Sequence, residues 1–265
     1  GRTMKTTKYA VCAVMAAMMA LSAAADTTYT NYGDFTAASV DFLQVTEQTT
    51  NPGDTVPKYG SPFVTTAGNS MDFNPVGFSA IAANGSSDVT DGNLVFIADA
   101  HQDKNMAIEK IGFAERGNFT LGGTGTDGTY VDVDAYFYVE VTEVNFQPIE
   151  SFGISVWMEF DPNTDGKHEL VTDGAGGGLW SGSVEVDINA ALVLNGYAET
   201  DRATQVAVDL NNVLTAYSED GTSSLIAKKD FDVGMTVEII PEPASLALVL
   251  GATSLIAFVR RRFIG

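Results

Sequence analysis

The sequence predicts an all-β protein, built as a single β-sandwich or jelly-roll-like domain, with one apolar helix at each end of the chain. Apolar and polar residues alternate along much of the chain, which is typical of strands that bury one face. Clusters of Gly, Asn, Asp and Ser separate these stretches and supply turns. Helical periodicity is rare in residues 26–238, which are the predicted extent of the domain.

The strands are predicted from this alternation. The longest alternating stretch covers residues 130–141, and a second one at 154–160 follows it. Shorter strands are predicted at 40–45, 93–97, 108–113, 183–188, 204–210, 225–229 and 235–239. A short helix is predicted at 189–194, because Asn195-Gly196 is a helix-stop signal. Strands spaced in this way indicate a sandwich or jelly roll.

The first 25 residues are typical of a secretory signal peptide. Lys5 and Lys8 precede an apolar stretch of roughly 13 residues, which is the length of a leader rather than of a membrane span. Ala23 and Ala25 then form an Ala-x-Ala cleavage site. The alternative is a retained anchor, but the stretch is short and lacks a charged stop. We therefore expect passage through the export translocon and cleavage by signal peptidase.

Composition excludes several classes of function. The chain has 14 Lys and Arg against 34 Asp and Glu, a net charge of −20, and several of the basic residues lie in the two terminal segments. Such an acidic body repels nucleic acid, so no nucleic-acid partner is expected. The single cysteine, Cys12, lies in the leader, so the mature domain would have neither a disulfide nor a thiolate site.

The C-terminal segment, residues 239–265, has three parts in sequence. Pro241-Glu242-Pro243 precedes an uncharged apolar run at 244–259, and an arginine cluster follows: Arg260, Arg261 and Arg262. As a transmembrane helix, the run of about 16 residues would span roughly 24 Å, slightly less than a hydrocarbon core. Because positive residues stay on the cytoplasmic side, the arginines would place the body across the membrane. The two prolines keep the preceding backbone extended.

This order of tripeptide, apolar helix and arginine cluster resembles the bacterial PEP-CTERM sorting signal. The resemblance implies recognition by exosortase, a membrane-embedded transpeptidase-like protease, and delivery to the extracellular polymeric matrix. It departs from the pattern only in the three residues 263–265 that follow the arginines. The alternative is a membrane anchor that is never cut. The resemblance covers the tail alone and implies nothing about the domain, because such a tail is carried by unrelated domains.

One loop begins like a calcium-binding loop, in which oxygen side chains at positions one, three and five precede a glycine: Asp161, Asn163, Asp165 and Gly166. The twelfth position is Thr172 rather than Glu, so Glu169 would have to complete the set of calcium ligands. The alternative is a β-hairpin turn, since residues 160–169 are rich in turn-forming side chains. Both interpretations stay open at this stage.

The remaining candidates are weaker. Trp157 and Trp180 are able to stack on sugar rings, although large aromatic side chains on strands are also typical of a core. His101 and His168 lack a metal-binding spacing and are predicted to lie on the surface or in loops. The alternating Asp132 and Asp134 are predicted to be a solvated strand face.

Together these features predict a non-enzymatic, exported cell-surface or extracellular-matrix protein with a structural or adhesive body. It would be held transiently in the inner membrane by its C-terminal helix and then released. The alternative is a carbohydrate-binding module that uses Trp157 or Trp180, with a structural calcium ion and extracellular polysaccharide as the partner.

Overall fold

The computed structural model describes residues 28–65, 67–229 and 233–241, and most of these are in β-strands. Both predicted terminal helices lie outside the described residues. The same is true of the cleavage-site alanines and the arginine cluster: Ala23, Ala25, Arg260, Arg261 and Arg262. Within the described ranges, none of the helices has the length and apolar character that a membrane crossing requires.

The strands vary in length from two to 18 residues. In chain order they are β1 Thr28–Thr36, β2 Val40–Thr49, β3 Phe63–Val64, β4 Ser70–Phe73, β5 Ser79–Ala83, β6 Ser87–Ala100, β7 Met106–Gly123, β8 Tyr130–Val144, β9 Gln147–Trp157, β10 Glu159–Asp161, β11 His168–Glu169, β12 Gly176–Asp187, β13 Ala203–Tyr217, β14 Thr222–Lys228 and β15 Val233–Pro241. A 3-10 turn covers Gln102–Lys104, and helix α1 covers Ile188–Leu194.

The first layer, sheet I, is antiparallel with the strand order β1-β2-β6-β13-β8-β9. Its central strand β13 pairs with β6 on one side and β8 on the other over almost its whole length. These two ladders fix which side chains share a face, because directly opposed residues of antiparallel strands point to the same side.

The second layer, sheet II, is built around β7. Strand β12 lies along one side of β7, and β15 and β14 lie one after the other along its opposite side. Outside these, β5 pairs with β14, β4 and β3 continue from β15, and β10 pairs with β12. The two sheets are joined by a pair between Ala203 and Ile108, which makes the sandwich nearly closed.

The core lies between the two sheets and follows the predicted alternation. Side chains of β13 and β8 that face inward are fully buried, among them Leu210, Leu214, Phe137 and Val139. Phe113 of sheet II packs in the same apolar cluster. Fully burying one such side chain contributes about 1.5–3 kcal/mol. The predicted all-β class and sandwich-like architecture are therefore confirmed.

Helix α1 follows β12 and begins one residue before the predicted start. The Asp187 carboxylate accepts a hydrogen bond from the Ala190 N–H at 2.8 Å, which caps the helix. Ile188 and Leu192 are buried in the core. The helix therefore closes one end of the sandwich.

Many carboxylates of this acidic chain hold loops in place. The buried Glu47 accepts hydrogen bonds from the backbone N–H groups of Lys58 and Tyr59, and from the Tyr32 hydroxyl at 2.7 Å. Asp91 likewise accepts the N–H of Asn51 at 2.9 Å. Charge-assisted hydrogen bonds of this kind are stronger than neutral ones, so part of the negative charge stabilises the fold.

Strand β15 extends beyond the predicted domain boundary at residue 238. Ile239 pairs with Ile108, and Pro241 pairs with Met106 at the start of β7. The first three residues of the predicted tail therefore belong to sheet II. Glu242 and Pro243 lie outside the described residues.

Candidate functional site

The outer face of sheet I carries one exposed and two half-buried aromatic side chains on β9 and β8, here called the aromatic row: Trp157, Tyr136 and Tyr138. Tyr136 is opposite Trp157 in the β8–β9 ladder, and their rings meet edge to face with centroids 5.1 Å apart. The Tyr136 hydroxyl donates a hydrogen bond to Ser155 Oγ at 2.6 Å. Trp157 is 64% exposed, although large apolar side chains on strands are usually buried.

Gly153 of β9 makes room for the Tyr138 ring of the aromatic row. A Cβ atom at Gly153 would lie 2.2 Å from the Tyr138 hydroxyl and 2.4 Å from its ring. The tyrosine ring therefore lies over the bare backbone of β9. Together the rings form an aromatic platform at the edge of sheet I, and aromatic rings of this kind stack on the apolar faces of flat ligands.

Polar side chains continue the same face toward β2, here called the polar row: Gln48, Asn93 and Asp209. The Gln48 amide donates to Asn93 Oδ1 at 2.8 Å, and the Asn93 amide donates to Asp209. Asp209 lies opposite Tyr138 in the β13–β8 ladder, so the two rows adjoin. Burial raises the pKa of Asp209, while the hydrogen bond from Asn93 lowers it. From β2 to β9 the face is roughly 19 Å wide, at about 4.8 Å per strand.

At one end of this face lies a cavity of about 780 Å³, here called the acidic pocket. Its lining includes Leu43 and Ile97 as well as polar groups: Asp34, Asp41, Asp99, Asp103, Glu143, His101 and Gln205. His101 Nε2 is 3.0 Å from Asp41 Oδ1. The pocket therefore combines an apolar floor with groups that hydrogen-bond to hydroxyls, as small-molecule sites do.

Two carboxyl groups of the acidic pocket have perturbed ionisation. Burial raises the pKa of Asp99, and the charge of Asp41 adds to the shift, although a hydrogen bond from Gln205 opposes it. Burial, together with the charge of Asp99, also raises the pKa of Glu143. Each group then keeps its proton to a higher pH than usual and can donate a hydrogen bond.

At the other end of the face, Tyr130 and Tyr217 stack with ring centroids 5.7 Å apart. Lys167 Nζ lies 4.6 Å from the centre of the Tyr130 ring. Beside them, burial raises the pKa of Asp132 to about 6, and the charges of Asp134 and Asp165 contribute to the shift. On the predicted solvated face Asp134 is therefore exposed, whereas Asp132 is half-buried, and the two carboxylates repel each other.

The structure separates the two tryptophans that the sequence treats alike. Trp157 belongs to the aromatic row, whereas Trp180 is only 2% exposed and packs edge to face on Phe160. The prediction that Trp180 stacks on a sugar ring is therefore wrong, because its side chain points from β12 into the sandwich. His168, predicted on the surface or in a loop, is buried and stacks on Phe119 with centroids 3.9 Å apart.

In the loop predicted as a possible calcium site, the polar side chains form hydrogen bonds and an ion pair with neighbouring residues of the same loop. The Asn163 amide donates to the Lys167 carbonyl at 2.6 Å, Asp165 accepts the Lys167 N–H at 3.2 Å, and Glu169 pairs with the Lys167 amine. Asp161 belongs to β10, next to β12. Among the described residues, no three Asp, Glu, His or Cys side chains are grouped to hold a metal ion. These contacts are those of a turn, which is the second interpretation of the loop.

The acidic pocket was not predicted from the sequence. Asp99 and Gln205 are opposite each other across the β6–β13 ladder although they are far apart in sequence. A register shift near Gln205 sets its alignment with Glu143 on β8. The one signal in the sequence is that Asp99 comes directly after an apolar run within β6. The partner strand has to be known before the pocket can be found.

Comparison with known proteins gives little further information. No protein-family model and no curated protein matches the chain. Among solved structures, TmCBM61 in complex with beta-1,4-galactotriose aligns with 60% of this chain and 70% of its own, at 10% identity and a TM-score of 0.22. A native family 12 xyloglucanase from Bacillus licheniformis aligns with 80% of this chain and 100% of its own, at 8% identity and a TM-score of 0.22.

The endoglucanase 3 from Trichoderma harzianum, of family GH12, is similar to the chain at the same level. It aligns with 82% of this chain and 99% of its own, at 11% identity and a TM-score of 0.21. At such TM-scores the similarity carries no argument about function.

Proposed function

We propose that the protein is an exported surface or matrix protein whose sandwich binds extracellular polysaccharide on the outer face of sheet I, without cleaving it. The observation that carries the proposal is the exposed Trp157 ring, which lies with the half-buried tyrosines of the aromatic row beside the polar row. The rings supply flat apolar surfaces, and the amide and carboxyl groups supply donors and acceptors for hydroxyls.

The shape of this face supports an extended ligand. The aromatic row, the polar row and the acidic pocket lie on one side of the same sheet, so a chain molecule can contact several of them at once. Their rigid strand positions limit the entropy lost on binding. A purely structural role would not require an exposed Trp157 ring, and it is the outcome if no glycan binds.

Sorting by the C-terminal tail is proposed from the sequence. The leader would start translocation, and the tail would arrest it until an exosortase-like protease acts near Pro241, Glu242 and Pro243. The pairing of Pro241 in sheet II supports a tail that begins directly at the folded domain.

Binding is tested by applying the full chain to a glycan array, followed by calorimetry with each polysaccharide that binds. Trp157→Ala is expected to weaken binding at least tenfold, because burying a large apolar side chain against a ligand contributes about 1.5–3 kcal/mol. Leu179→Ala is the matched control, since Leu179 is 70% exposed but lies on β12 of sheet II.

Three results would contradict the binding proposal. Equal affinity of the Trp157 and Leu179 variants would remove the aromatic row from the site. Release of new reducing ends during incubation with the bound polysaccharide would show that the protein is an enzyme. Binding to no glycan would favour the structural role.

Sorting is tested in the native cell by mass spectrometry of the mature protein. The wild-type mature protein is expected to lack the segment after residue 243. Changing Pro241, Glu242 and Pro243 to Ala is expected to prevent this loss. A mature protein that retains residues 244–265 in the wild-type cell would favour the uncut anchor.

A further inference from the structure

Three polar side chains meet at the centre of the sandwich, where their neighbours are apolar: Glu115 of β7, Asn212 of β13 and Lys228 of β14. The side chains of Glu115 and Lys228 are fully buried, and Asn212 is 0% exposed. All three occupy inward positions of strands whose other inward residues form the core. A polar group in such a position costs free energy unless it is hydrogen-bonded.

One carboxylate oxygen connects the other two groups. Glu115 Oε2 accepts a hydrogen bond from Lys228 Nζ, and the same atom accepts one from Asn212 Nδ2 at 2.7 Å. The amine and the amide therefore lie next to each other on one proton acceptor. Asn212 belongs to sheet I, whereas the other two belong to sheet II, so this contact spans the two layers.

Aromatic rings enclose the lysine amine. Lys228 Nζ lies 4.9 Å from the ring centre of Phe78, 5.5 Å from that of Trp180 and 5.7 Å from that of Tyr59. Two glycines make room for these rings. A Cβ atom at Gly117 would lie 2.5 Å from Trp180, and one at Gly92 would lie 2.8 Å from Phe78.

This environment suits a neutral amine. Burial lowers the pKa of Lys228, although the charge of Glu115 opposes the shift. A lysine whose amine loses its proton more easily is a better nucleophile. The enclosing rings also keep water away from the three groups.

We propose that Lys228 and Asn212 form an intramolecular amide bond across the sandwich, with Glu115 as the proton-transfer group. The neutral amine of Lys228 attacks Cγ of Asn212, and a new bond forms between Nζ and Cγ. Glu115 takes one proton from the attacking nitrogen and returns one to the Asn212 amide nitrogen. The bond between Cγ and Nδ2 then breaks, and ammonia leaves.

The reaction needs no oxidant, reductant or cofactor. One amine and one primary amide give one secondary amide and one ammonia molecule, and Glu115 returns to its starting protonation state. Holding the reactants side by side replaces a bimolecular encounter, which is a large part of the barrier to amide exchange. Asn212 Oδ1 and Trp180 Nε1 have no hydrogen-bond partner among the described residues, so the amide carbonyl and one buried donor are both uncommitted.

The alternative is an ordinary buried ion pair between Lys228 and Glu115. Such a pair costs its desolvation and is often no more stable than an apolar replacement. It would leave Asn212 chemically unchanged. The two possibilities differ in covalent structure, so mass spectrometry separates them.

To test the proposal, the purified, denatured full chain is digested with a glutamate-specific protease. Cleavage after Glu199, Glu219 and Glu238 gives the peptides 200–219 and 220–238, which contain Asn212 and Lys228 respectively. The expected product is a branched pair of these peptides whose mass is below their sum by one ammonia molecule. Two linear peptides of unmodified mass, obtained from folded protein, would overturn the proposal.

Three variants assign the roles. Lys228→Met and Glu115→Gln are each expected to abolish the branched pair, whereas Lys229→Met, at the exposed neighbouring position, retains it. Circular dichroism confirms that each variant folds. A branched pair that persists in Glu115→Gln would overturn the proton-transfer role of Glu115. A pair that joins Lys228 to a peptide containing Glu115, with loss of water, would overturn Asn212 as the reacting amide.

Discussion

Gly117 is the position where a single added methyl group should disturb the sandwich most. In the structure, a Cβ atom there would lie 2.0 Å from the Ala227 carbonyl oxygen and 2.5 Å from the Trp180 ring, where ordinary contact begins at 3.4 Å. Gly117 also pairs with Lys228 at the end of the β7–β14 ladder. The change Gly117→Ala must therefore push β14 away from β7 or displace the indole.

The magnitude follows from these contacts. Overpacking a dense core costs about 1–3 kcal/mol. Separating the strand ends removes roughly two ladder hydrogen bonds of about 1 kcal/mol each. The lower entropy of alanine in the unfolded chain returns about 0.4–1 kcal/mol. We therefore expect a net loss of about 3 kcal/mol, a large share of the 5–15 kcal/mol typical of a domain.

Urea denaturation followed by tryptophan fluorescence measures this loss as a lower midpoint at unchanged slope. Gly68→Ala is the matched control, because a Cβ atom at Gly68 has nothing within 4 Å. The reasoning about close packing at Lys228 is refuted if Gly117→Ala and Gly68→Ala have the same midpoint.

Three further predictions concern ionised groups. The pKa of Asp132 is raised from 3.8 to about 6, so between these pH values the folded state holds a proton that the unfolded state has lost, and stability falls as the pH rises from 4 to 6. Asp132→Asn should remove this pH dependence and raise the melting temperature at pH 7 but not at pH 4. Glu47→Ala should lower the free energy of unfolding by about 2–4 kcal/mol, since the buried N–H groups of Lys58 and Tyr59 lose their acceptor, and a urea midpoint equal to that of wild type would contradict the role of this carboxylate. EDTA should leave the melting temperature unchanged if the loop 161–166 is a turn, and a fall that calcium reverses would restore the calcium interpretation.

Much of the sheet structure was predictable, because alternation is a local property. The stretch predicted at 130–141 is β8 without its last three residues, and the helix predicted at 189–194 is α1 but for its first residue. Strand β1 was missed because residues 28–36 are mostly polar and lie at an edge, where few side chains are buried. The short strands β3 and β4 were also missed, since two to four residues are too few to show a period.

The sites were harder to predict because they depend on register between distant strands. Trp157 and Trp180 both lie on strands, and only the pairing with β8 or β7 decides which one faces solvent. Lys228 is in phase with the inward-facing Ile226, which is visible in the sequence. Its contact with Glu115, more than 100 residues earlier, is not, since no local pattern joins β14 to β7.

The route of strand β15 has a consequence for any enzyme that acts on the tail. Pro241 is still aligned with Met106, so no spacer separates the sheet from the next residue, Glu242. A protease that grips an extended substrate needs several free residues on each side of the bond. It must therefore either detach the last pairs of β15 or act before this strand docks, which would make the timing of folding a control on the proposed release from the membrane.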